Sequence, residues 1–332
     1  MTHAPIAPDE PVHAPLHGAL FVIAILFSSY QIWMAAFHPL SSLVIRSIHV
    51  GFVLLMIYGL YPPLGGRAAW SRALGWALGL TGFAFGIYQW IFEAELTQRS
   101  GDLTTMDWVV GVVTVALVFD AARRAMGWGL PIICGVFLLY GIFGNHLPSV
   151  LAHRGFGLDQ IVSTLGFGTE GIYGTPTYVS STYIFLFILF GSFLEQAGMI
   201  RLFTDFALGT VGHTRGGPAK VAVISSGLMG TISGSGVANV VTTGQFTIPL
   251  MKRFGYNSAF AGGVEATASM GGQIMPPVMG AVAFIMAETI NVPYLEIVKA
   301  AVIPAILYFV TAFWMVHLEA GRKGLMGMAK ED

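Results

Sequence analysis

The chain has 332 residues, of which 55% are hydrophobic and only 10% charged, with a mean hydropathy of +0.72. Soluble domains carry about 25% charged residues, so this composition excludes a soluble globular protein. The formal net charge of −1 gives no reason to expect nucleic acid or a polybasic lipid anchor, and a single cysteine excludes a disulfide framework or a multi-cysteine metal site.

Residues 1–15 hold Pro and His but no Lys or Arg, and the apolar run that follows is long enough to span, so a cleavable signal is not expected. A spanning helix needs about 20 mostly apolar residues. Runs of this kind cover 16–37, 43–61, 74–92, 108–122, 128–147, 177–197 and 294–317. Residues 156–166 and 199–210 read as short amphipathic helices lying at an interface. Two further apolar segments are interrupted: 217–250 by Ser233-Gly234-Ser235-Gly236, and 258–287 by "GGQIMPP". The fold class expected is an all-α integral membrane protein, a multi-span helical bundle with one re-entrant helical hairpin and one broken helix. Its parts are a cytoplasmic tail (1–15), a four-span scaffold (16–125), a connecting transmembrane helix (126–150) and a working module (151–332).

Basic residues set the orientation, because cytoplasmic loops collect Lys and Arg. With the N-terminus inside and 217–250 entering and leaving on one side, twelve basic residues are cytoplasmic: Arg67, Arg72, Arg123, Arg124, Arg201, Arg215, Lys220, Lys252, Arg253, Arg322, Lys323 and Lys330. Arg46, Arg99, Arg154 and Lys299 remain outside. Treating 217–250 as one ordinary span turns this 12-to-4 split into about 7 to 9, so the charges favour a hairpin.

Gly and Ser at 233–236 can end one half-helix and cap the next. A half-helix starting near Gly236 would aim its first amides at the midplane, where a carboxylate is favoured, while carbonyls ending the first half suit a cation. The alternative is small-xxx-small packing through Gly230 and Gly234. In the second segment Pro276 would free the carbonyl of Gly272 and Pro277 that of Gln273, leaving oxygen ligands beside Thr267, Ser269 and the Gln273 amide. Glu265 is an ionisable group at depth that could line the site or pair with a basic residue at the rim. The nine histidines have no paired metal-ligand spacing, and no Ser/His/Asp arrangement supports an enzyme.

The stretches "GGPAKVAVISSGLMGTISGSGVANVVTTGQFTIPLMKRFGY" and "AGGVEATASMGGQIMPPVMGAVAFIMAE" resemble the fused permeases of tripartite ATP-independent periplasmic (TRAP) transporters, with the TAXI branch nearest. The resemblance runs from about Trp128 to Leu318 and is densest over 217–288. The earlier spans resemble the small membrane subunit by topology. The family implies an elevator-type, Na⁺-coupled importer in the bacterial inner membrane, taking an organic anion from a periplasmic solute-binding protein, with Na⁺ as coupling ion and no cofactor. Carried onto this chain, the implied Na⁺ positions are Ser233, Gly234, Ser235 and Asn239 on the hairpin tip and Gly271, Gly272 and Gln273 opposite. The solute is expected beside Ser235, Asn239, Thr267, Pro276 and Pro277. Family transport modules contain two inverted repeats and one set is found here, so the C-terminal half of the permease, in the same or a separate chain, joins membrane lipids among the expected partners. The competing readings are an elevator carrier without a binding protein and a non-transporting scaffold subunit.

Overall fold

The computed structural model describes residues 18–63, 69–99, 101–148 and 150–328. The expected tail (1–15) and two residues of the charge count, Arg67 and Lys330, lie outside them. Among the described residues the structure is all-helical, with no strand. Two compact units divide at Tyr178–Val179.

In the first unit, α1 (Ala19–Phe37), α2 (Ser42–Leu60), α3 (Ala69–Ile91) and α5 (Thr105–Met126) cover the four expected early spans, with a short α4 (Glu93–Gln98) between the last two. Ser41 starts α2 by accepting the Val44 amide, and Thr104 and Asp107 form a reciprocal capping box at the head of α5. The partnership of α2 with α3 is written in glycines: Gly75, Gly79, Gly82 and Gly86 are all buried in α3. A Cβ on Gly86 would lie 2.5 Å from the Ser47 carbonyl oxygen, so the two backbones touch where any side chain would separate them. The Ser47 hydroxyl donates to the Gly86 carbonyl across the same contact, at 3.2 Å. After α5 come α6 (Gly129–Phe143) and the amphipathic α7 (Leu158–Gly166), both packed on it, and Gln89 of α3 donates to the Gly166 carbonyl at 2.8 Å.

Across the boundary run α8 (Thr175–Val179), a π-turn at Ser180–Ile184 and α9 (Phe185–Gln196), one continuous apolar rod. In the second unit, α10 (Met199–Ala207) ends in a π-turn at Leu208–Gly212, and then come α11 (Gly217–Ser233), α12 (Gly236–Arg253), α13 (Ser258–Gly271), α14 (Ala281–Thr289) and α15 (Tyr294–Lys323). The core here joins Ala219, Ala222 and Val223 of α11 to Met251, Ala261, Val264 and Ala268, and to Val316 and Ala320 of α15. Small residues dominate it, which lets helices approach closely where a surrounding lipid phase supplies no hydrophobic drive.

Among the described residues six helices are long and apolar enough to cross a membrane: α1, α2, α5, Gly129–His146, Thr175–Gln196 and α15. The run expected at 74–92 forms α3 but is not among the six. Ser71, Arg72, Thr81, Gln89 and the four glycines dilute its hydropathy, and they do so mainly on the face turned to its neighbours.

Candidate functional site

The segment 217–250 folds as a helical hairpin. Its ends return to one place, since a Cβ on Gly216 would lie 3.1 Å from the Tyr256 hydroxyl. Its tip is the Ser-Gly-Ser-Gly stretch. Gly234 closes α11 in the left-handed region (φ 59°), its amide donating to the Gly230 carbonyl at 3.3 Å, and the Ser235 hydroxyl opens α12 by accepting the Ala238 amide at 3.3 Å.

The second interruption receives that tip. Helix α13 stops at Gly271, passes through a 3₁₀ turn at Gly272–Ile274, and α14 resumes only at Ala281. A Cβ on Gly234 would lie 1.9 Å from the Met279 carbonyl oxygen, and one on Gly230 would lie 2.4 Å from the Gly272 Cα. Both contacts are backbone to backbone, so the tip seats directly in the gap between α13 and α14. Beside it, the N-terminal residue of α12, Gly236, abuts Met270 and the Gln273 side-chain amide.

Not all the expected site residues meet there. Ser233, Gly234, Gly272 and Gln273 do, and Asn239 lies just behind, fully buried, with its Nδ2 donating to the Ser226 carbonyl at 2.7 Å. Ser233 Oγ is shielded from solvent and has no hydrogen-bond partner among the described residues, which fits a cation ligand at the tip. Ser235 is exposed. Gly271 faces α15 instead, where a Cβ would meet Tyr308 and Phe309. Thr267 turns the same way: its carbonyl accepts the Tyr308 hydroxyl at 2.7 Å, and it lines a cavity of about 970 Å³ between α13 and α15 whose walls are chiefly apolar.

Pro276 and Pro277, joined by a cis peptide bond, lie in a turn after the 3₁₀ turn, closed by the Met279 amide donating to the Met275 carbonyl at 3.3 Å. The two carbonyls expected to be freed have other donors. The Gly272 oxygen accepts from the Met275 amide at 3.2 Å and the Gln273 oxygen from the Gly280 amide at 2.7 Å. The prolines therefore open the helix without stranding those acceptors. The Tyr294 hydroxyl, at the head of α15, donates to the carbonyls of Pro277 (3.0 Å) and Val278.

The polar centre of the unit sits deeper, at Glu265. It is fully buried, and no basic side chain pairs with it among the described residues. Four hydroxyls surround it instead. Oε1 is reached by Ser226 Oγ at 2.9 Å, Thr243 Oγ1 at 2.5 Å and Ser269 Oγ at 2.9 Å, and Oε2 by Thr247 Oγ1 at 2.5 Å. Sequence reading singled out Glu265 but not Ser226, Thr243 or Thr247. Their signal was the four-residue spacing of Asn239, Thr243 and Thr247, a polar stripe on one face of an apolar helix, opposite Glu265 and Ser269 at the same spacing.

A family model described as "Tripartite ATP-independent periplasmic transporter, DctM component" matches residues 113–332. Similar proteins include a C4-dicarboxylate TRAP transporter large permease of Pseudomonas aeruginosa, 33% identical over 159 residues, covering 48% of this chain and 37% of that protein. A C4-dicarboxylate TRAP transporter large permease of Vibrio cholerae is 28% identical over 213 residues, 64% of this chain and 44% of its own length. A sialic acid TRAP transporter large permease from Vibrio cholerae is 28% identical over 144 residues, 43% of this chain and 33% of its own. The chain thus spans between 33% and 44% of the length of these relatives.

Proposed function

Because this chain belongs to the DctM-component family of TRAP transporters, whose members are transporter permeases rather than enzymes, we propose that it is a permease component of a secondary, Na⁺-coupled importer for an organic anion. The solute is a carboxylate delivered by a periplasmic solute-binding protein, and the protein sits in the bacterial inner membrane with its N-terminus cytoplasmic. C4-dicarboxylate and sialic acid, named for two of the similar permeases, are both carboxylates. In this reading the chain is TAXI-type, with a small-subunit-like scaffold fused through residues 126–150 to the first repeat of the large subunit, and it works with the C-terminal half of the permease.

One observation carries the proposal: the two interruptions in otherwise apolar helices are in contact, the Gly234 tip backing onto Met279 and Gly280. Non-helical backbone at membrane depth persists where it is buried in protein or lines a wet cavity, and paired half-helix ends of this kind are how secondary transporters hold ions and anionic substrates. The chain supplies both charge preferences. The α11 end and the unpaired Ser233 hydroxyl would hold Na⁺ together with Gly234, Ser235, Asn239, Gly272 and Gln273, with Gly271 supporting from its α15 side. The first amides of α12, beside Ser235 and Asn239, favour the solute carboxylate. Pro276 and Pro277 keep the facing segment out of a helix, in a turn, and Thr267 marks the flank of the path.

Within an elevator, this hairpin and the interrupted helix would move together as the carrying unit against the early spans. The reading favours a re-entrant hairpin because its two ends lie side by side and Lys252 and Arg253 close α12 at that end. Reconstitution of the native-length permease in liposomes with its binding protein tests it. Accumulation of a labelled carboxylate should require both an inward Na⁺ gradient and the binding protein. Uptake unchanged after collapsing the gradient would remove Na⁺ coupling, and uptake without the binding protein would favour a free-standing carrier.

A further inference from the structure

We propose that Glu265 is the fixed negative pole of a second, buried site for a small monovalent cation, set between the two hairpin arms and α13 and separate from the hairpin tip. Three helices converge on it. Helix α11 contributes Ser226, α12 contributes Thr243 and Thr247, and α13 contributes Glu265 and Ser269, every one of these residues buried. Their side chains bring six oxygens to one point in a region otherwise packed with Ala, Val and Met.

The charge balance leaves room for a cation. Four hydroxyls compensate the buried carboxylate by hydrogen bonding, but no basic side chain supplies the opposite charge among the described residues. The cations on the same helices are committed elsewhere: Lys220 donates to Thr214 Oγ1 at 3.2 Å and lies over the Phe313 ring, while Lys252 and Arg253 are exposed at the end of α12. One carboxylate among neutral hydroxyls balances a single positive charge, which selects a monovalent over a divalent ion. An all-oxygen donor set is the chemistry of a hard ion such as Na⁺.

The hydroxyls can turn to serve as ligands. Thr243 Oγ1 lies 2.7 Å from the Asn239 carbonyl and Thr247 Oγ1 lies 3.1 Å from the Thr243 carbonyl, so each threonine can give its proton to its own helix and offer lone pairs to an ion. The approach of α12 is fitted to the carboxylate, since a Cβ on Gly244 would lie 3.1 Å from Glu265 Cγ. Thr243 is seven residues beyond Gly236, about 10 Å along the helix, so this point is distinct from the tip. Asn239 spans the two: its Nδ2 holds the Ser226 carbonyl and its Oδ1 accepts from Thr243 at 3.3 Å. An ion at Glu265 would tie both hairpin arms to α13 and make the hairpin a single rigid body when loaded.

The identity of the ion as Na⁺ rests on the Na⁺-coupled reading above, but binding itself does not. The test is equilibrium ²²Na⁺ binding to the native-length permease in detergent, with choline holding ionic strength constant. Glu265→Gln keeps size and hydrogen-bonding capacity but removes the charge, and it should lower the number of ions bound per polypeptide by one. Thr247→Val and Ser269→Ala, each removing one oxygen, should raise the half-saturating concentration of one ion about tenfold, which keeps the test decisive if the Gln variant does not fold. Wild-type stoichiometry and affinity in a folded Glu265→Gln variant would overturn the proposal, and so would a wild type that binds no ²²Na⁺. An ion lost in Glu265→Gln while wild-type uptake proves independent of the Na⁺ gradient would sustain this site and defeat the coupled-transport reading instead.

Discussion

At Gly234 two independent constraints act on one residue. Its backbone is left-handed, and a Cβ would run into the Met279 carbonyl oxygen 1.9 Å away. The left-handed conformation alone costs about 1–2 kcal/mol for an L-residue, and a backbone oxygen cannot step aside as a side chain could. Gly234→Ala is therefore expected to lower the thermal midpoint of the purified permease and to abolish solute uptake. Gly230→Ala should do the same through the 2.4 Å contact with the Gly272 Cα, although its own conformation is helical. Wild-type uptake in either variant would mean that the tip does not seat against the interrupted helix during the cycle. The break itself was legible, because Ser and Gly announce a helix end locally. The facing of α13 was less so. Helical phase puts Glu265, Ser269 and Gly272 on the hairpin side and Thr267 and Gly271 on the α15 side, and grouping them by nearness in sequence mixes the two faces. The partners of Glu265 come from three helices, and that convergence is a property of packing that no local pattern specifies.

Caps and ties decide where each half-element stops. Ahead of α13, the Asn257 side chain accepts the Phe260 amide at 2.7 Å, and losing such a cap costs about 0.5–2 kcal/mol. Asn257→Ala should accordingly reduce stability by about 1 kcal/mol in denaturant titration while leaving the ion-binding oxygens in place, and a change in half-saturating Na⁺ would argue against that separation. The turn between α13 and α14 is held from outside by the Tyr294 hydroxyl on the Pro277 and Val278 carbonyls. Tyr294→Phe removes both bonds but keeps the ring stacked on Phe284, whose centroid is 4.2 Å away. The expected outcome is a loss of about 1 kcal/mol with faster amide exchange confined to residues 275–280. Exchange spreading evenly over the second unit would show that the tie is global. Apolar length and turn residues were enough to place these elements. The fate of the Gly272 and Gln273 carbonyls was not readable in the same way, since it depends on how the chain turns after the prolines to bring the Met275 and Gly280 amides back.

For the whole molecule the decisive question is which side of the membrane the hairpin enters from. The basic residues give a sequence-level answer, 12 against 4 with both hairpin ends cytoplasmic, and the adjacency of Gly216 and Tyr256 shows that those ends share one side of the unit. Charge points to the side of the membrane and packing gives the adjacency, and an accessibility experiment joins the two. The chain's single cysteine, Cys134, is exposed on α6 among apolar neighbours and can be replaced to give a clean background. On Cys134→Ala, reporters at exposed positions just before α11 and at the end of α12 (His213→Cys and Lys252→Cys) should both be blocked by a membrane-impermeant maleimide only in inside-out vesicles. Lys299→Cys, also exposed near the start of α15, should be blocked only from the periplasmic side. If His213→Cys and Lys252→Cys label from opposite sides, 217–250 is a span rather than a re-entrant hairpin. The two helix breaks would then no longer lie at a midplane reached from both faces, and the alternating-access reading of this site would lose its geometric basis.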